Sequence, residues 1–259
     1  MGAIKAAKDL FDLSGEVALV TGASSGLGAR FVAVLAANGA KVALAARRTD
    51  RIQALATKLP NSVAITLDVT KAESFADAFD EVESTIGPVS LLINNAGVGG
   101  DESDFIDTGA AAWRHVQDTN VDAVWYLSQF FAKRRVAAKA PGTIINIASA
   151  AAFQVGATSA NYAISKAAVV QMTNALALEL AKFDIRVNGI APGYIASEMT
   201  RDYFASEAGQ AMVQHIPLKR VGDASDLDGL LLLLASKRAS GWMTGTTVLV
   251  DGGHLLSFC

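Results

Sequence analysis

The chain has 259 residues, 51% of them hydrophobic and 18% charged, and a formal net charge of −3. That apolar share is too high for a disordered chain, and the weakly acidic balance argues against a nucleic-acid partner. The lone cysteine, Cys259, excludes an intrachain disulfide, and His115, His215 and His254 are too scattered in sequence for metal-ligand spacing. Apolar runs such as Leu230–Ala235 fall far short of the ~18–20 residues that span a bilayer. Residues 1–16 scatter lysines and aspartates among apolar residues, so they lack a signal-peptide core. A cytoplasmic protein with no membrane partner is expected. The basic run Lys133-Arg134-Arg135 reads as a solvated helix end.

In chain order, strands are expected at Glu16–Thr21, Lys41–Ala46, Ser62–Leu67, Leu91–Asn94, Thr143–Ala148, Ile185–Ile190 and Thr246–Val250. Amphipathic helical patterns fall between them at Leu27–Asn38, Asp50–Lys58, Ala72–Ile86, Ala111–Ala138 and Ala160–Phe183. Strands alternating with helices of this length imply right-handed parallel crossovers. The expected fold is therefore α/β, a Rossmann-like doubly wound parallel sheet of about seven strands with helices on both faces. Residues 1–13 read as an N-terminal arm and 14–259 as a single domain. One segment breaks the alternation. Gly193–His215 holds no strand, follows Pro192 and carries Tyr194, Tyr203 and Phe204, as a substrate lid would.

The first strand runs into Thr21-Gly22-Ala23-Ser24-Ser25-Gly26-Leu27-Gly28. Glycines here permit a tight turn and let the backbone approach a pyrophosphate, while the next helix aims its N-terminal N–H groups at the negative charge. An NAD site usually ends its second strand in a carboxylate that accepts the ribose 2′-hydroxyl. This chain has Arg47-Arg48 there instead. A guanidinium fork suits a 2′-phosphate, so NADP(H) is the expected cofactor.

Tyr162 and Lys166 share one helical face through their i,i+4 spacing. A neighbouring ammonium favours a phenolate, which would bring a tyrosine into acid–base range. Ser149 follows the fifth predicted strand at the carboxyl edge, where ligands bind in open α/β sheets. Asn120 stands inside a helical pattern that does not favour asparagine.

Together with Asn94-Asn95-Ala96-Gly97 and Pro192-Gly193, these residues give the chain from about Leu13 onward a pattern that resembles the short-chain dehydrogenase/reductase family. The resemblance implies that Tyr162 is the general acid of reduction and the base of oxidation. It gives Ser149 the substrate oxygen, Lys166 the nicotinamide ribose, and Asn120 a proton-relay water. It also implies cofactor contacts from Gly22, Ser24, Ser25, Gly26, Leu27, Gly28, Arg47, Arg48, Asp68, Val69, Asn94, Ala96, Gly97, Pro192, Gly193, Ile195, Ser197 and Met199. Ser197 stands where the family usually has threonine.

The expected substrate pocket is walled by Phe153, Gln154 and Val155 beside Ser149 and Tyr162, with Tyr194, Met199 and Tyr203 from the lid. These side chains are mostly apolar, which suits an uncharged, hydrophobic small-molecule ketone or secondary alcohol. Ketoacyl thioesters and sugars or polyols are the alternatives. Leu178 takes a position where ketoacyl-group reductases of the family commonly carry arginine. Helices apolar on more than one face, as at Ala167–Val170, suggest a homo-oligomer, and the family resemblance implies a dimer or tetramer, with a homotetramer (a dimer of dimers) expected.

Overall fold

The computed structural model describes residues 6–100, 103–196 and 200–257. A helical turn, α1 (Ala7–Leu10), precedes β1 (Val17–Thr21), α2 (Gly26–Ala37), β2 (Lys41–Ala46), α3 (Thr49–Ala56) and β3 (Ser62–Thr66). Next come α4 (Phe75–Thr85), β4 (Leu91–Asn94), α5 (Ala110–Gln117), α6 (Ala123–Ala137), β5 (Gly142–Ile147), α7 (Ala160–Leu180) and β6 (Ile185–Pro192). The chain ends with α8 (Arg201–Ala205), α9 (Glu207–His215), α10 (Asp228–Ala235), α11 (Lys237–Ser240) and β7 (Thr247–Val250).

The strands form one seven-stranded sheet in the order β3-β2-β1-β4-β5-β6-β7, and every pair is parallel. The central strands β1, β4, β5 and β6 are buried at every residue. That is why they read as unbroken apolar runs rather than alternating ones. On one face Phe31 and Leu35 of α2 pack with Leu231 and Leu234 of α10. On the other, Phe79 and Val82 of α4 pack with Leu127 and Phe131 of α6. Each such side chain, fully withdrawn from water, contributes about 1.5–3 kcal/mol.

A buried polar chain stitches the middle of the sheet to its helices. Asn94 donates to Ser128 Oγ and Asn146 Oδ1, both at 2.9 Å, and Asn146 donates to Thr173 Oγ at 2.9 Å. Asn94 is therefore committed inside the core, as the last residue of β4 facing away from the cleft.

Two expectations need correction. The helix expected over Ala111–Ala138 is interrupted by a π-helical turn, Asp118–Asp122, centred on Asn120. Such wide turns distort the helical ladder and occur often at functional sites. The basic run does end a helix, α6, with Lys133 exposed, but its two arginines are engaged rather than solvated. Arg134 bridges Asp80 and Glu83 at 2.5 and 2.7 Å, and Arg135 is buried, donating to the carbonyls of Pro141 and Val89.

Candidate active site

The turn after β1 is built to let backbone come close. Gly22 sits at φ 66°, and a Cβ there would lie 2.9 Å from the Ala96 Cα. A Cβ on Gly28 would lie 2.4 Å from the Gly22 carbonyl oxygen, so only glycine lets α2 start against the turn. Thr21 fastens the ends of β1 and β4. Its Oγ accepts from the N–H groups of Asn95 and Ala96 at 3.0 Å, while Asn95 Nδ2 donates to the Thr21 carbonyl at 2.8 Å.

These strand ends border a cleft of about 570 Å³. It is lined by Gly22, Ser24, Ser25, Leu27, Gly28, Arg47, Arg48, Asp68, Val69, Ala96 and Gly97, as expected from the sequence, and also by Thr70, Asn95, Val98 and Thr119. Its place, beside the β1/β4 switch point, is where open α/β sheets take ligands. The Arg48 guanidinium is fixed over the turn, donating to Ser24 Oγ at 2.8 and 3.1 Å and to Ser25 Oγ at 2.7 Å. Asp68 Oδ1 accepts from Thr70 N–H at 3.0 Å and its hydroxyl at 2.8 Å. Burial opposes ionisation of Asp68, but the Thr70 hydrogen bonds and the nearby Arg47 and Lys71 charges outweigh it and hold the carboxyl below its usual range. A glycine turn at a helix N-terminus, flanked by two guanidiniums, fits a dinucleotide that carries an extra ribose phosphate.

A second cavity, about 530 Å³, opens at the ends of β5, β6 and β7. Ser149, Gln154, Val155, Tyr162 and Tyr194 line it, as expected, and so does Gly193. Phe153 does not. The one-turn helix Ala150–Ala152, capped by Ser149, rotates it outward, leaving it 52% exposed. Tyr203 is also absent from the wall, since it packs on Phe204, which in turn meets Tyr194 edge-on. Asn94 has the structural part of its expected role, bonded within the core, and does not line the cleft, while Pro192 is buried in β6. Ile195 borders a side groove and bridges to Gly222. Ser197 and Met199 lie outside the described residues. Met212 and His215 of α9 come from the segment expected to be a lid, though not singled out within it, while His254 and Leu255 of the C-terminal turn were missed. No local pattern marks them, because tertiary folding alone brings them to Ser149.

Ser149 and Tyr162 line the second cavity, and Asn120 and Lys166 lie against Gly97 of the nucleotide cleft. On that shared wall, burial pushes the Tyr162 phenol up while the neighbouring Ser149 hydroxyl pulls it down. Lys166 lies beneath, donating to the Ile147 carbonyl at 2.9 Å, with Nζ 5.7 Å from the Tyr162 ring centre. Burial draws its ammonium down from 10.5 to about 8. The expected lowering of the tyrosine by the lysine is therefore not what prevails in the protein alone, where desolvation dominates. Asn120 accepts from Val98 N–H at 2.9 Å and donates to the Val98 carbonyl and to Ser165 Oγ, both at 3.0 Å. A Cβ on Gly97 would lie 3.3 Å from Asn120 Oδ1 and 3.4 Å from Lys166 Nζ. No cluster of metal-ligating side chains occurs among the described residues.

A dinucleotide-type cleft opening beside a Ser–Tyr–Lys group defines a nucleotide-dependent α/β oxidoreductase architecture. Comparison with known proteins agrees. Residues 22–254 match a family model described as enoyl-(acyl carrier protein) reductase. Galactitol 2-dehydrogenase (L-tagatose-forming) of Cereibacter sphaeroides is 38% identical over 252 residues, covering 95% of this chain and 98% of that protein. The gluconate 5-dehydrogenase structure from Burkholderia cenocepacia, in complex with NADP and tartrate, superposes with TM-score 0.91 at 30% identity, covering 98% of this chain and 100% of that one. A 7α-hydroxysteroid dehydrogenase complexed with NADH and 7-oxoglycochenodeoxycholic acid gives TM-score 0.90 at 32% identity, covering 96% and 98%. The chain belongs to the short-chain dehydrogenase/reductase family.

Proposed function

We propose that the protein is an NADP(H)-dependent oxidoreductase that interconverts a small-molecule ketone and its secondary alcohol. The observation that carries this reading is the placing of Ser149 and Tyr162 on one wall of the second cavity, over the buried Lys166, whose Nζ lies 5.7 Å from the Tyr162 ring centre. Relatives of this chain have been solved with NADP and with NADH, so its own residues must decide the cofactor. Arg48, already held by Ser24 and Ser25, and Arg47 beside it favour the 2′-phosphate. The turn Gly22–Gly28 would hold the pyrophosphate, Asp68 and Val69 the adenine end, and Lys166 the nicotinamide ribose.

Bound NADP(H) would supply or accept the hydride. In reduction, negative charge grows on the substrate oxygen, and the hydroxyls of Ser149 and Tyr162 are the donors that meet it. Because burial keeps the Tyr162 phenol protonated, its proton is in place to pass to that oxygen. In oxidation the same phenol must first lose its proton, and Asn120 is the proposed anchor of the water that carries it away.

The cavity wall mixes apolar Val155, Met212 and Leu255 with polar Gln154, Ser159 and His215. The apolar part sustains an alternative reading, a hydrophobic ketone. Half-exposed Trp125 and Tyr126 on α6, with Leu178 82% exposed on α7, support self-association, proposed as a homotetramer and checked by light scattering. The direct test of function is NADPH and NADH oxidation with a panel of aryl, aliphatic, sugar-derived and thioester ketones. Turnover with at least one ketone and preference for NADPH is expected. Tight NADPH binding without turnover of any of them would overturn the proposal.

A further inference from the structure

Resting on the oxidoreductase reading above, we infer that Gln117 and Ser165 are positioning residues, which brace the first turn of α7 on either side of Tyr162 and so fix where its hydroxyl meets the substrate oxygen.

That turn is poorly secured by its own residues. Thr158, two residues before the helix, sits at φ 57°, a left-handed conformation that is costly for a β-branched side chain. Ser159, at the N-cap, makes no side-chain capping bond, and its hydroxyl donates to the Gly156 carbonyl at 2.9 Å instead. Asn161 turns its Oδ1 to the Tyr162 N–H at 2.7 Å, which leaves its own Nδ2 buried and without a partner among the described residues. A helix start with so little capping frays unless something else holds it. Tyr162 is its third residue.

The bracing comes from the neighbouring segment. Gln117 is the last residue of α5, and Asn120 is the middle of the π turn that follows. Three residues apart, they offer their amides to Asn161 and Ser165, which lie four apart on one side of α7. Gln117 Nε2 donates to the Asn161 carbonyl at 3.2 Å, and Asn120 Nδ2 to Ser165 Oγ at 3.0 Å. Ser165 passes the second bond on, donating to the Tyr162 carbonyl at 2.7 Å. One rung therefore meets the chain immediately before Tyr162. The other meets it immediately before Lys166, which is itself tied to the Ile147 carbonyl. Gln117, Asn161 and Ser165 are all buried, where hydrogen bonds are stronger than at the surface.

These rungs matter more to the reaction than to the fold. The 21-residue α7 also buries Val169, Thr173 and Ala177, so its body packs without them. The second rung, by contrast, starts at Val98 in the nucleotide cleft and runs through Asn120 and Ser165 to the Tyr162 backbone. It sets the acid in the same frame as the cofactor, and proton delivery depends steeply on such placement.

Wild type, Gln117→Met, Ser165→Ala and Ser165→Cys are compared in three measurements. These are kcat with NADPH and a ketone that wild type reduces, NADPH affinity by fluorescence titration, and amide hydrogen exchange of the peptide spanning residues 160–166. In Gln117→Met and in Ser165→Ala, kcat should fall by about 10- to 100-fold, the scale for a slightly misplaced reacting group, with NADPH affinity close to wild type. Exchange over 160–166 should accelerate in both. Ser165→Cys, which keeps a weak donor in place of the hydroxyl, should recover part of kcat. Gln117→Met decides alone should Ser165→Ala not fold. Unaltered kcat in both variants, kcat and NADPH affinity falling by the same factor, or a cysteine variant no better than the alanine one would overturn the inference. Failure of the oxidoreductase reading is distinguishable, since wild type would then reduce no ketone while exchange still accelerates in the variants.

Discussion

Asn120 and Val98 hold each other through a reciprocal pair of hydrogen bonds, side-chain oxygen to N–H at 2.9 Å and side-chain amide to carbonyl at 3.0 Å. The asparagine thus does for the loop after β4 what a neighbouring strand would do. It can reach that loop because the helix widens into a π turn at that point. Since Val98 lines the nucleotide cleft, Asn120→Ala should do two things. Two backbone groups and Ser165 lose their partner, so stability should fall by about 2–4 kcal/mol in urea denaturation, and the KM for NADPH should rise with it. A loss of stability with an unaltered KM would show that the loop keeps its place without the clamp.

Replacing Arg48 by alanine removes a guanidinium whose geometry Ser24 and Ser25 already fix. The KM for NADPH should increase by about 10- to 100-fold, as for a lost charge-assisted bond of about 1.5–3 kcal/mol, while that for NADH changes little. Arg47→Ala should act in the same direction. Steady-state kinetics with both cofactors decides, and equal effects on the two would refute the 2′-phosphate role.

Tyr162→Phe keeps the ring and deletes the proton. Turnover should drop by about 10²- to 10⁴-fold, whereas NADPH affinity, read by fluorescence titration, should be largely retained. Near-normal turnover in this variant would mean that another group protonates the substrate.

Lys166 gives a prediction about stability against pH. Its folded-state value, about 8, lies below the ordinary lysine value of 10.5. Below pH 8 the lysine is charged in both states, so the full burial cost is present. Between about 8 and 10.5 the folded form has lost the proton that the unfolded form keeps, and stability rises with pH by about 3 kcal/mol in all. Lys166→Met should remove this slope. Denaturation midpoints of the two proteins should therefore converge between pH 7 and pH 10, and a difference that stays constant over that range would mean that the lysine carries no burial cost.

Much of this was legible in the sequence because it is local. The seven strands and their order of appearance follow from apolar runs separated by helical periods, and the Gly22–Gly28 turn from its own residues. The features that escaped depend on partners far away in the chain. The helix break at Asn120 needs Val98, and the burial of Arg135 needs the carbonyls of Pro141 and Val89. Of the adjacent asparagines 94 and 95, the first turns into the core and the second to the cleft, a difference that strand alternation sets only once the strand's end is known. Phe153 reads as a wall residue until the turn Ala150–Ala152 directs it outward. The C-terminal contribution to the cavity was hidden for the same reason, since nothing around His254 announces Ser149.

The sheet order has one more consequence. The nucleotide cleft draws on loops after β1, β2, β3 and β4, and the second cavity on loops after β5, β6 and β7. One half of a continuous sheet therefore serves a reagent of fixed chemistry, and the other half faces a molecule of variable shape. Loop libraries restricted to the second half can be screened against new alcohols with the coenzyme assay held constant. Evolution has the same freedom, so neighbours of this chain can diverge in what they oxidise while sharing how they store electrons.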